Sequence, residues 1–98
     1  MPVGLFTRIC GPEPGMRWPV NEGGFERIVA ELMNALREGC DVPPMIIKYE
    51  AGAFELNDGN HRHEACIRLG VENYPVIIWI TEDADKEAFL SRYGEYLV

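Results

Sequence analysis

The sequence predicts a small α/β (α+β) domain, in which helices pack against a mixed β-sheet in the order β-α-β-β-α-β-α. Three observations indicate this class. Apolar residues recur with helical spacing between residues 25 and 36. Short apolar runs at residues 45–49 and 74–80 have the length and composition of strands. Glycines and prolines separate these segments, and the 98 residues have the size of a single domain, residues 1–98.

The first part of the chain is predicted to be a strand followed by a long loop. Val3 to Ile9 is short, apolar and partly β-branched, which favours a strand. Residues 10–24 contain four glycines and three prolines, so we expect a loop there. Long loops are often lids or binding loops. Trp18 therefore has two interpretations: it covers the edge of the core, or it belongs to a lid that contacts a ligand.

The first helix is predicted around an apolar stripe that begins at Phe25 and ends at Leu36. The stripe follows the i, i+3, i+4 spacing of one helix face, so we expect it to face the core. Asn21 is the predicted N-cap, and Gly39 is the predicted stop.

A β-hairpin is predicted next. Met45–Tyr49 forms its first strand, residues 50–53 its turn, and Phe54–Leu56 its return strand. The period of two places Phe54 and Leu56 on one face. The return strand leads directly into the turn Asn57-Asp58-Gly59.

A second helix is predicted from about Asn60 to Leu69, with Gly70 at its end. The continuous apolar run over residues 74–80 is typical of a strand that is covered on both faces. Thr81 or Asp83 is expected to cap a last helix. The buried side of that helix is predicted to comprise Phe89, Leu90, Tyr93 and Leu97.

Composition narrows the function classes. The net charge of −7 argues against nucleic acid as a partner, because phosphate-backbone binding needs clustered Lys and Arg. No apolar run is long enough to span a membrane, and the N-terminus lacks the pattern of a signal peptide, so we expect a cytoplasmic location. The three cysteines form no CxxC pair. We therefore expect mostly buried thiols, without a disulfide framework or a structural zinc site.

Residues 56–65 concentrate the polar chemistry of the chain. Gly59 ends a tight turn, and a glycine allows a ligand to approach the backbone closely. The helix that follows offers unpaired backbone N–H groups and the positive end of its dipole. These features predict an anion site suited to phosphate. Arg62 adds a fork of donors, and His61 adds a hydrogen bond or an acid-base group.

The same stretch also has structural interpretations. Asp58 is either a helix cap or a ligand for the Mg²⁺ that accompanies a nucleotide phosphate. In the purely structural alternative, His61 is a core histidine whose ring nitrogens have hydrogen-bond partners, and Arg62 and His63 are solvated. A zinc site built from the acids and histidines of this stretch is the weaker alternative, because His61 and His63 lie two positions apart on a helix and point apart.

The stretch Phe54–Ala65, together with Arg68–Gly70 and Tyr74–Ile77, resembles the ParB/sulfiredoxin superfamily. The resemblance covers roughly residues 25–80, and strand, glycine turn and helix occur in the family's order. It implies a ParB/sulfiredoxin-like fold, and it implies that this turn binds the phosphates of a nucleotide. A nucleoside triphosphate or diphosphate with Mg²⁺ is then the expected cofactor.

Departures from the family pattern narrow the expected chemistry. Sulfiredoxins have a catalytic cysteine where Asn60 stands, and an asparagine cannot form the intermediates of a thiolate, so sulfiredoxin activity is not expected. Partition proteins carry a Glu-Arg-Arg-like sequence and then a helix-turn-helix domain, for which a chain of this length has no room. The Asp-Gly-x-His-Arg form is nearer to serine-kinase-like and stand-alone ParB-like members.

Three hypotheses follow. In the first, the domain binds nucleotide phosphates and acts as a phosphotransferase or nucleotide hydrolase. Gly59, Asn60, His61 and Arg62 would bind phosphate. His61 and Asp58 would be the catalytic residues, with Asp58 also the metal ligand. In the second, the domain is a non-enzymatic regulatory module that binds a partner protein. The third, a ParB-like nuclease or DNA-associated protein, ranks lowest because it needs a carboxylate cluster and a basic surface.

Overall fold

The computed structural model describes residues 1–97, which form three α-helices, two short 3₁₀ helices and five strands. The helices are α1 (Glu22–Arg37), α2 (Asn60–Leu69) and α3 (Asp83–Tyr93), with 3₁₀ helices at Val3–Leu5 and Gly94–Tyr96. The strands are β1 (Cys10–Gly11), β2 (Trp18–Pro19), β3 (Met45–Glu50), β4 (Ala53–Asp58) and β5 (Val76–Trp79). Within these residues no helix is long and apolar enough to cross a membrane.

The strands form a mixed main sheet and a small second sheet. The main sheet has the order β4-β3-β5, in which β3 is antiparallel to β4 and parallel to β5. Strands β1 and β2 form a separate parallel pair, in which Cys10 is opposite Trp18. The mixed α+β class that the sequence predicts is therefore confirmed, although its sheet is divided in two.

Helix α1 follows the prediction closely. The side chain of Asn21 accepts a hydrogen bond from the amide of Gly24 at 3.0 Å, so Asn21 is the N-cap. The buried face carries Phe25 and Val29, which pack with Ala65 of α2. Because this cluster joins α1 to α2, the apolar stripe fixes α1 beside the start of α2.

The hairpin of β3 and β4 places the candidate turn at the end of β4. Ala51 and Gly52 both have positive φ, 50° and 80°, as a tight hairpin turn requires. The core face of the hairpin carries Met45, Ile47 and Leu56, all fully buried. Strand β4 continues to Asp58, so the sheet delivers the chain into α2 through Gly59 alone.

The predicted first strand from Val3 to Ile9 is wrong, because the strands that precede α1 lie later in the chain, at Cys10–Gly11 and Trp18–Pro19. Val3–Leu5 forms a 3₁₀ turn, in which the amide of Phe6 donates to the carbonyl of Val3 at 3.2 Å. Val3 and Phe6 are both buried. A spacing of three brings both side chains to one face of such a turn, whereas a strand would point them to opposite faces.

The prediction that β5 is covered on both faces is also wrong. Ile77 and Trp79 are 53% and 49% exposed, while Val76 and Ile78 pack against the core. In the described part of the chain, strand β5 is at the edge of the main sheet and pairs with β3 alone. Its apolar composition therefore reflects β-branched strand propensity as well as burial.

The last helix differs from its prediction at both ends. Its N-cap is Glu82, without a side-chain capping bond, rather than Thr81 or Asp83. Phe89 is buried as predicted, but Leu90 and Leu97 are exposed. The helix ends at Tyr93 and the chain continues as a 3₁₀ turn, so residue 97 does not follow the helical stripe.

The cysteines only partly match their prediction. Cys66 lies in the core, and burial raises the pKa of its thiol. Cys10 is half-buried, and Cys40 is exposed.

Candidate functional site

Within residues 1–97, no side chain caps the N-terminus of α2. Gly59 occupies the N-cap position in the left-handed region, with φ 106° and ψ 22°. The first intrahelical hydrogen bond runs from the amide of His63 to the carbonyl of Gly59 at 2.8 Å, so three earlier amides, those of residues 60–62, precede it. The interpretation of Asp58 as the helix cap is wrong, because Gly59 occupies the N-cap position and the side chain of Asp58 makes no capping hydrogen bond.

Both the backbone angle φ and the close packing around position 59 require a glycine there. A Cβ built at this position would lie 2.8 Å from Cγ and 3.3 Å from Cα of Met45. Met45 is fully buried at the start of β3. The turn therefore packs closely against the start of β3 on one side, where a side chain at position 59 would have no room.

Asn60 uses its side chain inside the protein. Its Oδ1 accepts hydrogen bonds from the amides of Ile9 and Cys10 at 2.9 and 3.1 Å, and its Nδ2 donates to the carbonyl of Leu56 at 3.1 Å. Asn60 is buried, 7% exposed. This side chain joins β1 to the start of α2, and what Asn60 offers a ligand is its backbone amide.

His61 lies beside the turn and stacks on α1. Its ring centroid is 4.9 Å from that of Phe25, with an interplanar angle of 35°. Burial lowers the pKa of His61 below its ordinary value of 6.5, the guanidinium groups of Arg8 and Arg62 lower it further, and Asp58 opposes the shift. His61 is therefore a neutral imidazole at neutral pH.

Arg62 is anchored along the turn. Its Nη1 donates to the carbonyl of Pro44 at 3.2 Å and lies 3.7 Å from a carboxylate oxygen of Asp58. Asp58 is exposed, and Arg62 is half-buried. The structure thus places a partly buried positive charge and an exposed carboxylate at the same turn.

The histidine held within the core is His63, whereas the structural alternative assigned that role to His61. His63 is 6% exposed, and its Nε2–H donates to the carbonyl of Val3 at 2.9 Å. Its Nδ1 has no hydrogen-bond partner within residues 1–97. The expectation that His63 is solvated is therefore wrong, because the first 3₁₀ helix, which the sequence pattern did not indicate, covers it.

A cavity of about 460 Å³ opens at the start of α2. It is lined by Ile9, Cys10, Trp18, Glu55, Asn57, Asp58, Gly59, Asn60 and His61. The predicted site residues therefore share this cavity, except Arg62, which lines a smaller one of about 180 Å³ with Asp58 and His61. Trp18 is 62% exposed, so the interpretation that it covers the core edge is wrong.

A larger cavity of about 540 Å³ lies at the opposite end of α2. Among the described residues, Glu72 and Asn73 are its only polar side chains, and the remaining lining is apolar or glycine. Volume alone therefore does not identify the site; convergent polar groups distinguish the cavity at the start of α2.

Arg8 lies beside the candidate site, and no pattern in the sequence pointed to it. Its guanidinium carbon lies 4.8 Å from the centroid of Phe25, whose ring also contacts His61. It pairs with Glu13, and its Nε is 3.3 Å from Glu64. Arg8 therefore ties the segment before β1 to α2 and adds positive charge near His61.

The ion pairs of Arg8 continue along α2 into α1. Arg68 donates to Glu64 at 2.8 Å and to both carboxylate oxygens of Glu26 at 2.6 and 2.8 Å. These bonds lower the pKa of Glu26 and raise that of Arg68. The network links the first segment, α1 and α2, and it occupies Glu64 with two arginines.

Potential metal ligands are sparse at this site. Within the described part of the chain, no group of three His, Cys, Asp or Glu side chains is placed to hold a metal ion. The zinc alternative built on His61 and His63 therefore has no ligand set, because His63 faces the core.

The fold and the glycine turn together define a small domain of the ParB/sulfiredoxin type. The sequence profile of the ParB N-terminal domain matches residues 19–91, so the chain belongs to this family. The family resemblance predicted from the residues of the turn is confirmed. No curated protein sequence matches the chain.

Two solved structures share the fold. Sulfiredoxin from Arabidopsis thaliana superposes with a TM-score of 0.63 at 24% identity, covering 92% of each chain. The C-terminally truncated chromosome-partitioning protein ParB from Caulobacter crescentus, complexed with CTP-γ-S, superposes with a TM-score of 0.60 at 17% identity. That match covers 95% of the present chain and 51% of the ParB chain, so the present chain spans about half of it. At these identities the likeness shows the fold alone.

Proposed function

We propose that this domain binds the phosphates of a nucleotide at the N-terminus of α2. The observation that carries the proposal is the uncapped start of α2, which opens through Gly59 onto a cavity of about 460 Å³. Unpaired helix amides and the helix dipole favour an anion. Membership of the ParB family, and a ParB structure holding CTP-γ-S, support nucleotide binding in general terms.

The residues of the turn have separate roles in this proposal. The amides of Asn60, His61 and Arg62 donate to phosphate oxygens, and the absence of a Cβ at Gly59 allows close approach. Arg62 contributes charge from a fixed position. The neutral ring of His61 orients the ligand through a hydrogen bond.

The acidic lining of the cavity fits a phosphate that arrives with Mg²⁺. Glu55 and Asp58 both line the cavity and would repel a bare triphosphate. Mg²⁺ is commonly held by one or two carboxylates together with substrate phosphates, so a single exposed carboxylate at Asp58 suits it. When bound, Mg²⁺ would neutralise phosphate charge beside the turn.

Two versions of this function differ in turnover. A phosphotransferase or nucleotide hydrolase needs a general base, and Glu64 on α2 is already paired with two arginines, Arg8 and Arg68. His61 is stacked on Phe25. These contacts favour the alternative, a regulatory module that binds nucleotide and a partner protein without turnover.

Calorimetric titration with CTP, ATP and ADP, with and without Mg²⁺, tests the proposal. We expect binding that Arg62→Ala weakens about tenfold or more, because a hydrogen bond to a charged group is worth about 1.5–3 kcal/mol. Arg92→Ala, on exposed α3, is the matched control and should bind as the wild type does. Absence of binding at millimolar nucleotide in the wild-type protein would refute the proposal.

Phosphate release measured on the same samples separates the two versions. Binding without release of inorganic phosphate supports the regulatory module. Turnover that His61→Gln abolishes while nucleotide still binds supports the enzyme.

A further inference from the structure

Trp18 presents an exposed aromatic ring to the cavity at the start of α2. It is 62% exposed and lines that cavity together with Gly59 and His61. The other tryptophan, Trp79, has the ammonium of Lys48 above its ring at 5.2 Å. Among residues 1–97, no aromatic or cationic side chain stacks on Trp18. Its faces are therefore available to a planar ligand group.

The backbone beneath Trp18 is fixed, which distinguishes it from an apolar side chain on a mobile loop. The amide of Trp18 donates to the carbonyl of Ile9 at 2.9 Å, and the amide of Val20 donates to the carbonyl of Gly11 at 3.1 Å. Pro19 restricts the residue before it to extended backbone. Trp18 is thus held as a strand residue in the small parallel sheet.

The same sheet is attached to the residue that begins α2. The side chain of Asn60 accepts hydrogen bonds from the amides of Ile9 and Cys10. These two residues pair with the chain around Trp18. One buried side chain therefore sets the position of the indole relative to the first amides of α2. A rigid pair of a ring and amide donors suits a ligand that has both an aromatic ring and phosphates.

We propose that Trp18 is the stacking platform for the base of the bound nucleotide, so that the cavity selects nucleotides over inorganic polyphosphate. This inference rests on the proposed function, because the phosphates must bind at the start of α2 for the base to reach the indole. Stacking tolerates purine and pyrimidine alike, since every base has a π-face. The class of ligand is therefore a nucleoside di- or triphosphate.

Two single-tryptophan proteins provide the first test. Trp79→Phe leaves Trp18 as the only tryptophan of the chain, and Trp18→Phe leaves Trp79. Each is titrated with CTP, ATP and tripolyphosphate in the presence of Mg²⁺, with fluorescence excited at the red edge of the indole band. We expect nucleotides to quench Trp79→Phe and leave Trp18→Phe unchanged, and tripolyphosphate to quench neither.

Calorimetry on Trp18→Ala provides the second test. Base stacking contributes about 1–3 kcal/mol, so nucleotide affinity should fall by a factor of about 5 to 140. Tripolyphosphate affinity should stay unchanged, which a merely structural role of Trp18 would not allow. Trp18→Tyr should recover most of the nucleotide affinity, and Trp79→Ala should bind as the wild type does.

The outcomes separate this inference from the proposed function. If Trp18→Ala binds nucleotides as tightly as the wild type, the stacking role is overturned and phosphate binding stands. Equal loss of nucleotide and tripolyphosphate affinity also overturns it, because Trp18 would then only support the fold. If the wild-type protein binds no nucleotide, the proposed function and the stacking role fail together.

Discussion

At the scale of single residues, Gly59 is limited by its backbone angle and by the space around it. Its φ of 106° is costly for any residue with a side chain. A Cβ would also lie 2.8 Å from Cγ of buried Met45. The first limit is readable from the turn sequence, because glycine is common at such positions. The second limit depends on the start of β3, a separate strand that the turn meets only in the folded protein.

Gly59→Ala should lower the free energy of unfolding by about 2–4 kcal/mol, as the sum of left-handed strain and overpacking against Met45. Urea denaturation followed by circular dichroism measures this change. Gly39→Ala is the control, since Gly39 has φ 75° but a Cβ there would meet nothing within 4 Å. Gly39→Ala should lower the free energy of unfolding by only about 1–2 kcal/mol. Equal losses at both positions would contradict the role of Met45.

His61 makes the stability of the domain depend on pH. Burial lowers its pKa below 6.5 in the folded protein, while the unfolded chain keeps the ordinary value. Between these two values the unfolded state binds more protons, so stability rises with pH in that window. Below the pKa of His61 in the folded protein, the cost of protonating His61 lowers the free energy of unfolding by its full amount. Above pH 6.5 this cost is absent.

His61→Gln should remove this pH dependence. We expect the free energy of unfolding of the wild type, measured relative to the variant, to increase as pH rises toward 6.5 and to be constant above it. Urea denaturation of both proteins at a series of pH values gives this difference. A difference that does not vary with pH would show that burial of His61 does not disfavour its charged form.

At the scale of elements, local patterns predicted the parts of the fold that rest on local interactions. The bounds of α2 match their prediction, because Gly59 and Gly70 mark both ends in the left-handed region. The cap of α1 at Asn21 and the hairpin turn were also readable. Each of these features is specified within a few neighbouring residues.

The features of the site that the sequence did not predict depend on partners far along the chain. The small sheet pairs strands of two residues each, too short to have a period. Asn60 bonds to amides about fifty residues earlier, and Arg8 pairs with Glu64 across a similar distance. The predicted site residues lie at the turn because they are neighbours in the sequence, whereas Trp18 and Arg8 approach it through these long-range contacts. A single sequence does not specify such pairings.

Asn60→Ala should release the small sheet from the start of α2. The change leaves the amides of Ile9 and Cys10 without an acceptor, which costs about 1–3 kcal/mol for each group left unsatisfied. We expect faster hydrogen exchange at these two amides, measured by NMR or mass spectrometry, and a lower free energy of unfolding.

Asn60→Asp is the matched control for this prediction. A carboxylate still accepts both amides but cannot donate to the carbonyl of Leu56. Exchange at Ile9 and Cys10 should therefore stay close to that of the wild type. Unchanged exchange in Asn60→Ala would mean that β1 is held by other contacts.

At the scale of the whole molecule, an anion site must function in an acidic protein. The net charge is −7, from 16 acidic and 9 basic residues. The arginines nearest the cavity are paired with acids: Arg8 with Glu13 and Glu64, Arg17 with Glu55, and Arg62 with Asp58. The overall field therefore repels a free nucleotide, and binding depends on local amides and on a cation that accompanies the phosphates.

Asp58→Asn should reduce the dependence of nucleotide binding on Mg²⁺. Without Mg²⁺, the variant should bind CTP or ATP more tightly than the wild type, because one negative charge is removed beside the phosphates. When Mg²⁺ is added, the nucleotide affinity of the variant should increase less than that of the wild type, because a carboxylate ligand for the metal is lost. The enhancement by Mg²⁺ should therefore shrink about five- to thirtyfold, which corresponds to about 1–2 kcal/mol of coupling.

Glu87→Gln removes the same formal charge from exposed α3, away from the cavity, and separates this local effect from the field of the whole molecule. In Glu87→Gln, Mg²⁺ should increase the affinity for nucleotide by the same factor as in the wild type. Calorimetry at low and at physiological salt measures the effect of each substitution on nucleotide binding. Salt screens the distant charge of Glu87 more than the charge of Asp58 at the turn. Equal reductions in Asp58→Asn and Glu87→Gln would assign the Mg²⁺ dependence to net charge, and Asp58 would then have no role as a metal ligand.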